Sequence, residues 1–134
     1  KRHVWWIKDK LDVRAMEQAC SLFEGMHDFR SFTKDDPDEK STKVQITRCC
    51  IINHSPLIVV QVVGSHFLWS MVRQMVGLVV EVGRGAQPLT VVSELLSSNG
   101  RSKPWESAPP SGLFLSSVQY DNSPAPDVIP TIHL

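Results

Sequence analysis

The stretch that most constrains the fold is FLWSMVRQMVG at residues 67–77. It predicts a helix that is apolar on most sides, yet Arg73 lies in the middle of it. An unpaired guanidinium is costly to bury, so two arrangements are open. Arg73 either reaches water with its aliphatic stem on apolar surface, or meets a carboxylate. On physical grounds alone the first arrangement is favoured.

Two carboxylates of the chain are candidate partners for Arg73, namely Asp28 and Glu81. Glu81 follows Arg73 by eight residues, or about 12 Å along a helix axis, which is too far for a direct ion pair. Gly77, one turn after Arg73, costs about 1 kcal/mol relative to alanine in a helix interior. It would admit a closely packed backbone or leave room for a ligand.

The composition is that of a soluble globular domain, with 134 residues, 42% of them hydrophobic and 21% charged. Fourteen basic residues balance fourteen acidic ones, which argues against a strongly basic coat for nucleic acid. Three cysteines, two of them adjacent, do not form a disulfide framework. We therefore expect reduced thiols that pack as small hydrophobic groups inside a cell.

No signal peptide is visible and the chain does not begin with methionine, so we expect it to be part of a longer protein. The apolar run at 67–82 is interrupted by Arg73, Gln74 and Glu81. These polar residues make it a poor membrane span, and no membrane association is expected.

Hydrophobic periodicity predicts an α+β fold, with helices packed on one face of a mainly antiparallel sheet. Asp12 is the expected N-cap of the first helix, and Gly25 is its stop signal. Gly83 and Gly85 are expected to permit a sharp exit from the long helix. The predicted order is a helix at 11–25, strands at 43–52 and 57–63 joined as a hairpin, helices at 66–82 and 90–100, and a strand at 113–120.

Four blocks of the sequence resemble the C-terminal half of TruA-type tRNA pseudouridine synthases. They are LDVRAMEQACSLFEGMHDFRSF at 11–32, KST at 40–42, HFLWSMVRQMVGLVVEVGRG at 66–85 and APPSGLFLSSVQY at 108–120. Any one block would be weak evidence, but their combination in this order is specific. The resemblance implies that residues 1–120 are the C-terminal half of the catalytic fold. Residues 121–134 are rich in proline, which predicts an extended or mobile tail.

The resemblance implies an enzyme that isomerises uridine to pseudouridine in structured RNA, mostly tRNA, without a cofactor or a metal. In that family an aspartate of a Gly-Arg-Thr-Asp motif in the N-terminal half attacks the nucleotide. The arginine that pairs with it corresponds to Arg73. No such motif occurs in this chain, and its only tyrosine, Tyr120, lies in the last predicted strand rather than in the family's active site. The 134-residue chain is therefore predicted to be inactive alone.

Several other positions match the family's pattern, each with a plainer alternative. Phe29 and Phe32 match H-D-F-x-x-F and are candidates to line the active-site cleft, or are core aromatics after a helix end. Leu113 is a candidate to border the uracil, or is a core residue of its strand. Trp69 and Ser70 stand where many relatives carry basic or other polar residues, a departure that bears on RNA contact at this point.

Three basic residues are further candidates for contact with RNA. Arg84, Lys40 and Lys43 could each contact phosphate, or could be solvated surface residues. The resemblance implies tRNA as the partner, an intracellular and cytoplasmic location, and a homodimer for the full-length protein. Two other functions stay open, a non-catalytic RNA-binding or scaffolding module with the same fold, and a subunit that completes an active site in trans.

Overall fold

The structure is a computed structural model, in which three α-helices, one 3-10 helix and five strands are described. The described residues are 7, 10–33, 41–54, 57–97, 105, 107–109, 113–118 and 127–133. The elements are α1 (Val13–Phe23), β1 (Gly25–Asp28), the 3-10 helix (Arg30–Phe32), β2 (Lys43–His54), β3 (Leu57–Gly64), α2 (Met71–Arg84), α3 (Thr90–Ser97), β4 (Leu113–Val118) and β5 (Asp127–His133).

The strands form one sheet in the order β1-β2-β3-β5-β4, and every neighbouring pair is antiparallel. The predicted hairpin of β2 and β3 is confirmed, with His54 opposite Leu57. Along β2, buried Val44 and Ile46 alternate with exposed neighbours, and α1 packs against this strand. One face of the sheet is thus covered by helix, which confirms the α+β prediction.

The first helix forms as its sequence pattern predicts. Asp12 is its N-cap, and the Asp12 carboxylate accepts a hydrogen bond from the backbone N–H of Ala15 at 3.1 Å. Met16 and Phe23 are among the residues that this helix buries. Gly25 follows with a φ of +109°, a conformation that favours glycine. Residues 25–28 then form the short edge strand β1, which the sequence did not predict.

The long helix α2 begins later than predicted, at Met71 instead of residue 66. Ser70 adopts a left-handed conformation with a φ of 63°, which helical residues do not share. At the other end Gly85 has a φ of +82° and caps the helix, as predicted. The prediction was wrong for Gly83, which lies inside the helix and packs closely against Met16.

Within the predicted C-terminal tail, residues 127–133 form β5 between β3 and β4, a strand that the sequence did not predict. They are therefore part of the sheet and not a tail beyond it. Residues 121–126 and 134 lie outside the described residues. The strand is rich in β-branched residues, but Pro130 concealed that pattern, since proline is rare inside a sheet. Residues 131–133 of β5 pair with β3, and the pairing resumes at Val128. It is interrupted around Pro130, because proline has no N–H to donate.

The cysteines are free, as predicted. Cys20 and Cys49 are buried in the core, and Cys50 is half-buried. A hydrogen bond with Cys20 and burial together raise the pKa of the Cys49 thiol well above its usual range. Cys49 therefore stays protonated and packs as a small apolar group. Among the helices that the structure describes, none combines the length and hydrophobicity needed to cross a bilayer.

Candidate functional site

Arg73 lies in the third position of α2, half-buried between the buried residues Val72 and Gln74. Its Nε donates a hydrogen bond of 2.7 Å to the carbonyl oxygen of Ala108. In return the backbone N–H of Ala108 donates to the carbonyl oxygen of Arg73 at 2.9 Å. The arginine is thus held by a residue 35 positions later in the chain.

A second contact, next to the first, joins the same two parts of the chain. The indole N–H of Trp105 donates to the carbonyl oxygen of Gln74 at 2.9 Å. Trp105 is 8% exposed, and its ring centroid lies 5.8 Å from that of Phe32. Trp105 and residues 107–109, which we call the C-terminal strap, therefore lie against α2 at the position of Arg73.

The carboxylates considered as in-chain partners of Arg73 are engaged elsewhere. Asp28 forms an ion pair with Arg30 at 3.0 Å, and Glu81 forms one with Arg84 at 2.9 Å. Within the described residues no ion pair includes Arg73, and its two terminal nitrogens donate no hydrogen bond to the protein. The guanidinium keeps its charge and a free pair of parallel N–H donors, the arrangement that a carboxylate accepts.

Asp28 is a structural carboxylate in this fold. It accepts hydrogen bonds from the Thr42 hydroxyl and from the backbone and side chain of Arg30. Partial burial raises the pKa of Asp28, but these hydrogen bonds together outweigh it and hold the pKa below its ordinary value. The ionised Asp28 therefore fastens the 3-10 helix to β2 and is not available to Arg73.

Phe29 and Phe32 are completely buried. Their rings pack with that of Phe23, whose centroid lies 6.2 Å from that of Phe29 and 5.3 Å from that of Phe32. The structure thus places both in the core, the alternative that the sequence left open. Phe32 nevertheless reaches the Arg73 region through its contact with Trp105.

The remaining sequence candidates are Arg84, Lys43, Leu113 and Lys40. Arg84 lies three turns further along α2, roughly 16 Å away along the axis, and forms its ion pair with Glu81 there. Lys43 is exposed at the start of β2, where it lies opposite Asp28. Leu113 is the first residue of β4 and is paired with Ile132. Lys40 lies outside the described residues.

Sequence reasoning missed the residues that hold Arg73 in place. The side chain of Ala108 carries no functional group, and Trp105 stands in a segment that reads as a loop. Gln74 interrupts the apolar run at 67–82 of the sequence, yet it is 2% exposed and its Oε1 has no hydrogen-bond partner among the described residues. Ala108 and Gln74 fall within the family-like blocks at 108–120 and 66–85, but no residue pattern indicates which distant segment they contact.

No metal site accompanies Arg73 in the part of the chain that the structure describes. No group of three or more histidine, cysteine, aspartate or glutamate side chains is placed there to hold an ion. Arg73 itself offers a positive charge and N–H donors. A fixed cation with two free donors can bind and orient an anion that approaches from outside the chain.

Comparison with known proteins gives matches over most of the chain. The model of a family described as tRNA pseudouridine synthase matches residues 19–121, which include Arg73 and Ala108. The chain is 38% identical over 121 residues to the tRNA pseudouridine synthase A of Pseudothermotoga lettingae, covering 90% of this chain and 49% of that protein.

Two further relatives match the chain with similar identity and coverage. The tRNA pseudouridine synthase A of Syntrophotalea carbinolica is 39% identical over 119 residues, which cover 89% of this chain and 47% of that protein. The tRNA pseudouridine synthase A 2 of Clostridium perfringens is 35% identical over 120 residues, which cover 90% of this chain and 49% of that protein. The chain therefore spans about half the length of the curated relatives it matches.

Proposed function

We propose, because this chain belongs to the tRNA pseudouridine synthase family, that it is the C-terminal half of an enzyme that converts uridine to pseudouridine in tRNA. The proposal rests on the contacts that the Arg73 side chain makes. Its Nε is hydrogen-bonded to Ala108, while its terminal nitrogens and its charge are unengaged by the described residues. We infer that the missing partner is a catalytic aspartate from a segment outside this sequence.

A guanidinium suits this role better than any other side chain. Its two terminal nitrogens offer parallel N–H donors that bind both oxygens of a carboxylate, which fixes the direction of the carboxylate as well as its distance. A carboxylate facing a base in a partly dry pocket would otherwise have its pKa raised by desolvation. The adjacent cation opposes that rise, so the aspartate stays ionised and can act as a nucleophile.

The other steps of the reaction concern the uridine itself. A uridine in folded RNA must leave its stack before a protein carboxylate can reach it, which costs a few kcal/mol. Once the aspartate has attacked the nucleotide, the uracil is detached, rotated and rejoined through carbon 5. Arg73 contributes by holding the attacking carboxylate while the base is exchanged. We expect tRNA to be the substrate, the working enzyme to be a cytoplasmic homodimer, and this chain alone to form no pseudouridine.

The proposal is tested on the full-length protein that contains this chain. Arg73→Ala should reduce single-turnover formation of pseudouridine in tRNA by at least roughly a hundredfold, since it leaves the carboxylate without its partner. The dissociation constant for tRNA should change by less than about twofold, because Arg73 is reserved for the aspartate. Arg14→Ala is the control, since Arg14 is an exposed arginine of α1.

Four results would contradict the proposal. If Arg73→Ala lowers turnover and the affinity for tRNA by the same factor, Arg73 contacts a phosphate of the RNA. An unchanged turnover would separate Arg73 from the reaction. Pseudouridine formed by the 134-residue chain alone would show that the nucleophile lies within it. A full-length protein that binds tRNA but never modifies it would instead be a binding or scaffolding module.

A further inference from the structure

We propose that Trp105 is a positioning residue for the reaction, which acts on Arg73 by holding the C-terminal strap against α2. The inference rests on the proposed function, because it concerns how the arginine of that active site is oriented. The indole ring of Trp105 is part of the core, and its N–H group has this second role.

Three hydrogen bonds join the strap to α2, and all three fall on two consecutive residues of the helix. Trp105 donates to the carbonyl of Gln74, Ala108 donates to the carbonyl of Arg73, and Arg73 Nε donates to the carbonyl of Ala108. A carbonyl oxygen has two lone pairs, so each helix carbonyl can accept such a bond in addition to its helical one. The strap is therefore anchored at two adjacent points.

This anchoring determines the orientation of the Arg73 side chain. An arginine side chain has several rotatable bonds, and its guanidinium would sample many directions if only its backbone were fixed. Because the Nε–Ala108 contact is 2.7 Å long, at the short end for a charge-assisted bond, it holds the plane of the guanidinium. The Ala108 carbonyl can do this only while the strap itself is held in place.

Trp105 supplies the contact that fixes the start of the strap. Its ring is almost fully buried and packs on Phe32, while its only polar group meets the Gln74 carbonyl. Phenylalanine at this position would retain an aromatic ring in the core, but it loses the N–H donor together with the second ring of the indole. Trp105→Phe thus removes the link to α2 and also some packing, so a control for lost packing is needed.

The test is a double-mutant cycle in the full-length protein, with single-turnover pseudouridine formation as the readout. Trp105→Phe alone should lower the rate roughly threefold to tenfold, the size expected when one neutral hydrogen bond stops contributing. The dissociation constant for tRNA should stay within about twofold, because the strap does not bind the RNA in this proposal. In an Arg73→Ala background the same change should cost nothing further, since there is no guanidinium left to orient.

Phe23→Leu is the matched control for a purely structural effect. Phe23 is fully buried in the same aromatic cluster, 5.3 Å from Phe32, but no hydrogen bond joins its ring to α2. It should lower the melting temperature and reduce turnover by the same factor with or without Arg73. If Trp105→Phe does not fold, Ala108→Gly takes its place in the cycle, since it loosens the strap without removing a hydrogen-bonding group.

The results separate this inference from the proposed function. Suppose that Arg73→Ala lowers the rate of pseudouridine formation. If Trp105→Phe then lowers that rate by the same factor with and without Arg73, Trp105 is a core residue only and the inference is wrong. A weakened tRNA affinity in Trp105→Phe would also overturn it, because the strap would then contact the substrate. If Arg73→Ala keeps full turnover, the proposed function itself fails, and the positioning role fails with it.

Discussion

Arg73 and Ala108 hold each other in both directions, through a 2.7 Å bond from the guanidinium Nε to the Ala108 carbonyl and a 2.9 Å bond from the Ala108 N–H to the Arg73 carbonyl. A carbonyl satisfies a donor without neutralising the positive charge, so Arg73 is fixed in direction and still charged. An arginine in this state can still bind an anion, which distinguishes it from Arg30 and Arg84, which are already paired.

Replacing Arg73 with lysine tests whether the forked shape matters beyond the charge. Lysine keeps the cation but loses the Nε donor and the parallel pair of N–H groups. We expect Arg73→Lys to lower the single-turnover rate by roughly tenfold to a hundredfold, as loss of a charge-assisted hydrogen bond does. The affinity for tRNA should stay within about twofold. A lysine variant as active as the parent would show that charge alone suffices.

Replacing Gly83 with alanine should destabilise the contact between α1 and α2. A Cβ at this position would lie 2.7 Å from Met16 Cγ and 2.8 Å from its Sδ, well inside van der Waals contact. We expect a loss of about 1–3 kcal/mol in the free energy of unfolding, measured by urea denaturation.

Gly85→Ala is the comparison for Gly83→Ala. A Cβ on Gly85 would meet nothing within 4 Å, but its φ of +82° disfavours alanine. Its expected cost of about 1–2 kcal/mol is independent of Met16. Shortening Met16 to alanine should therefore reduce the penalty of Gly83→Ala and leave that of Gly85→Ala unchanged. If Gly83→Ala lowers the free energy of unfolding by the same amount with methionine and with alanine at position 16, the steric explanation is wrong.

Gln74 is expected to limit stability, because its Oε1 is buried and no described residue forms a hydrogen bond with it. Methionine has a similar length and no group that needs a partner, while the backbone carbonyl that binds Trp105 is unaffected. Gln74→Met should raise the free energy of unfolding by about 1 kcal/mol. Gln18→Met, on the exposed side of α1, should change it by less than about 0.5 kcal/mol. A clear loss of stability in Gln74→Met would mean that the amide has a required partner.

Asp28 should make stability dependent on pH in the acid range. Its pKa is lower in the folded chain than in the unfolded one, so its contribution is fully present above the unfolded pKa and is lost as the pH falls through the folded pKa. The stability difference between the parent and Asp28→Asn should therefore be constant above about pH 5 and shrink below about pH 4. Urea denaturation at several pH values measures it. Glu17→Gln, at an exposed site, should show no such difference.

Elements whose signals lie within a few residues could be predicted. The Asp12 N-cap and the stop signal at Gly25 predicted α1, and the two strand-like runs at 43–52 and 57–63 predicted the hairpin of β2 and β3. Elements that depend on distant partners could not. The edge strand β1 forms only because β2 lies beside it, and β5 forms between β3 and β4 despite Pro130. The left-handed Ser70, which delays the start of α2, carries no sequence signal either.

The sequence by itself determined that a permanent cation lies within an apolar helix, and which family carries that motif. Both are properties of neighbouring residues, so a local pattern contains them. Only the tertiary structure decided that Asp28 and Glu81 serve other arginines, and that Ala108 and Trp105 hold the region of Arg73 in place. Hydrogen bonds between residues 35 and 31 positions apart exist only once packing has brought those segments together, because no local propensity encodes them.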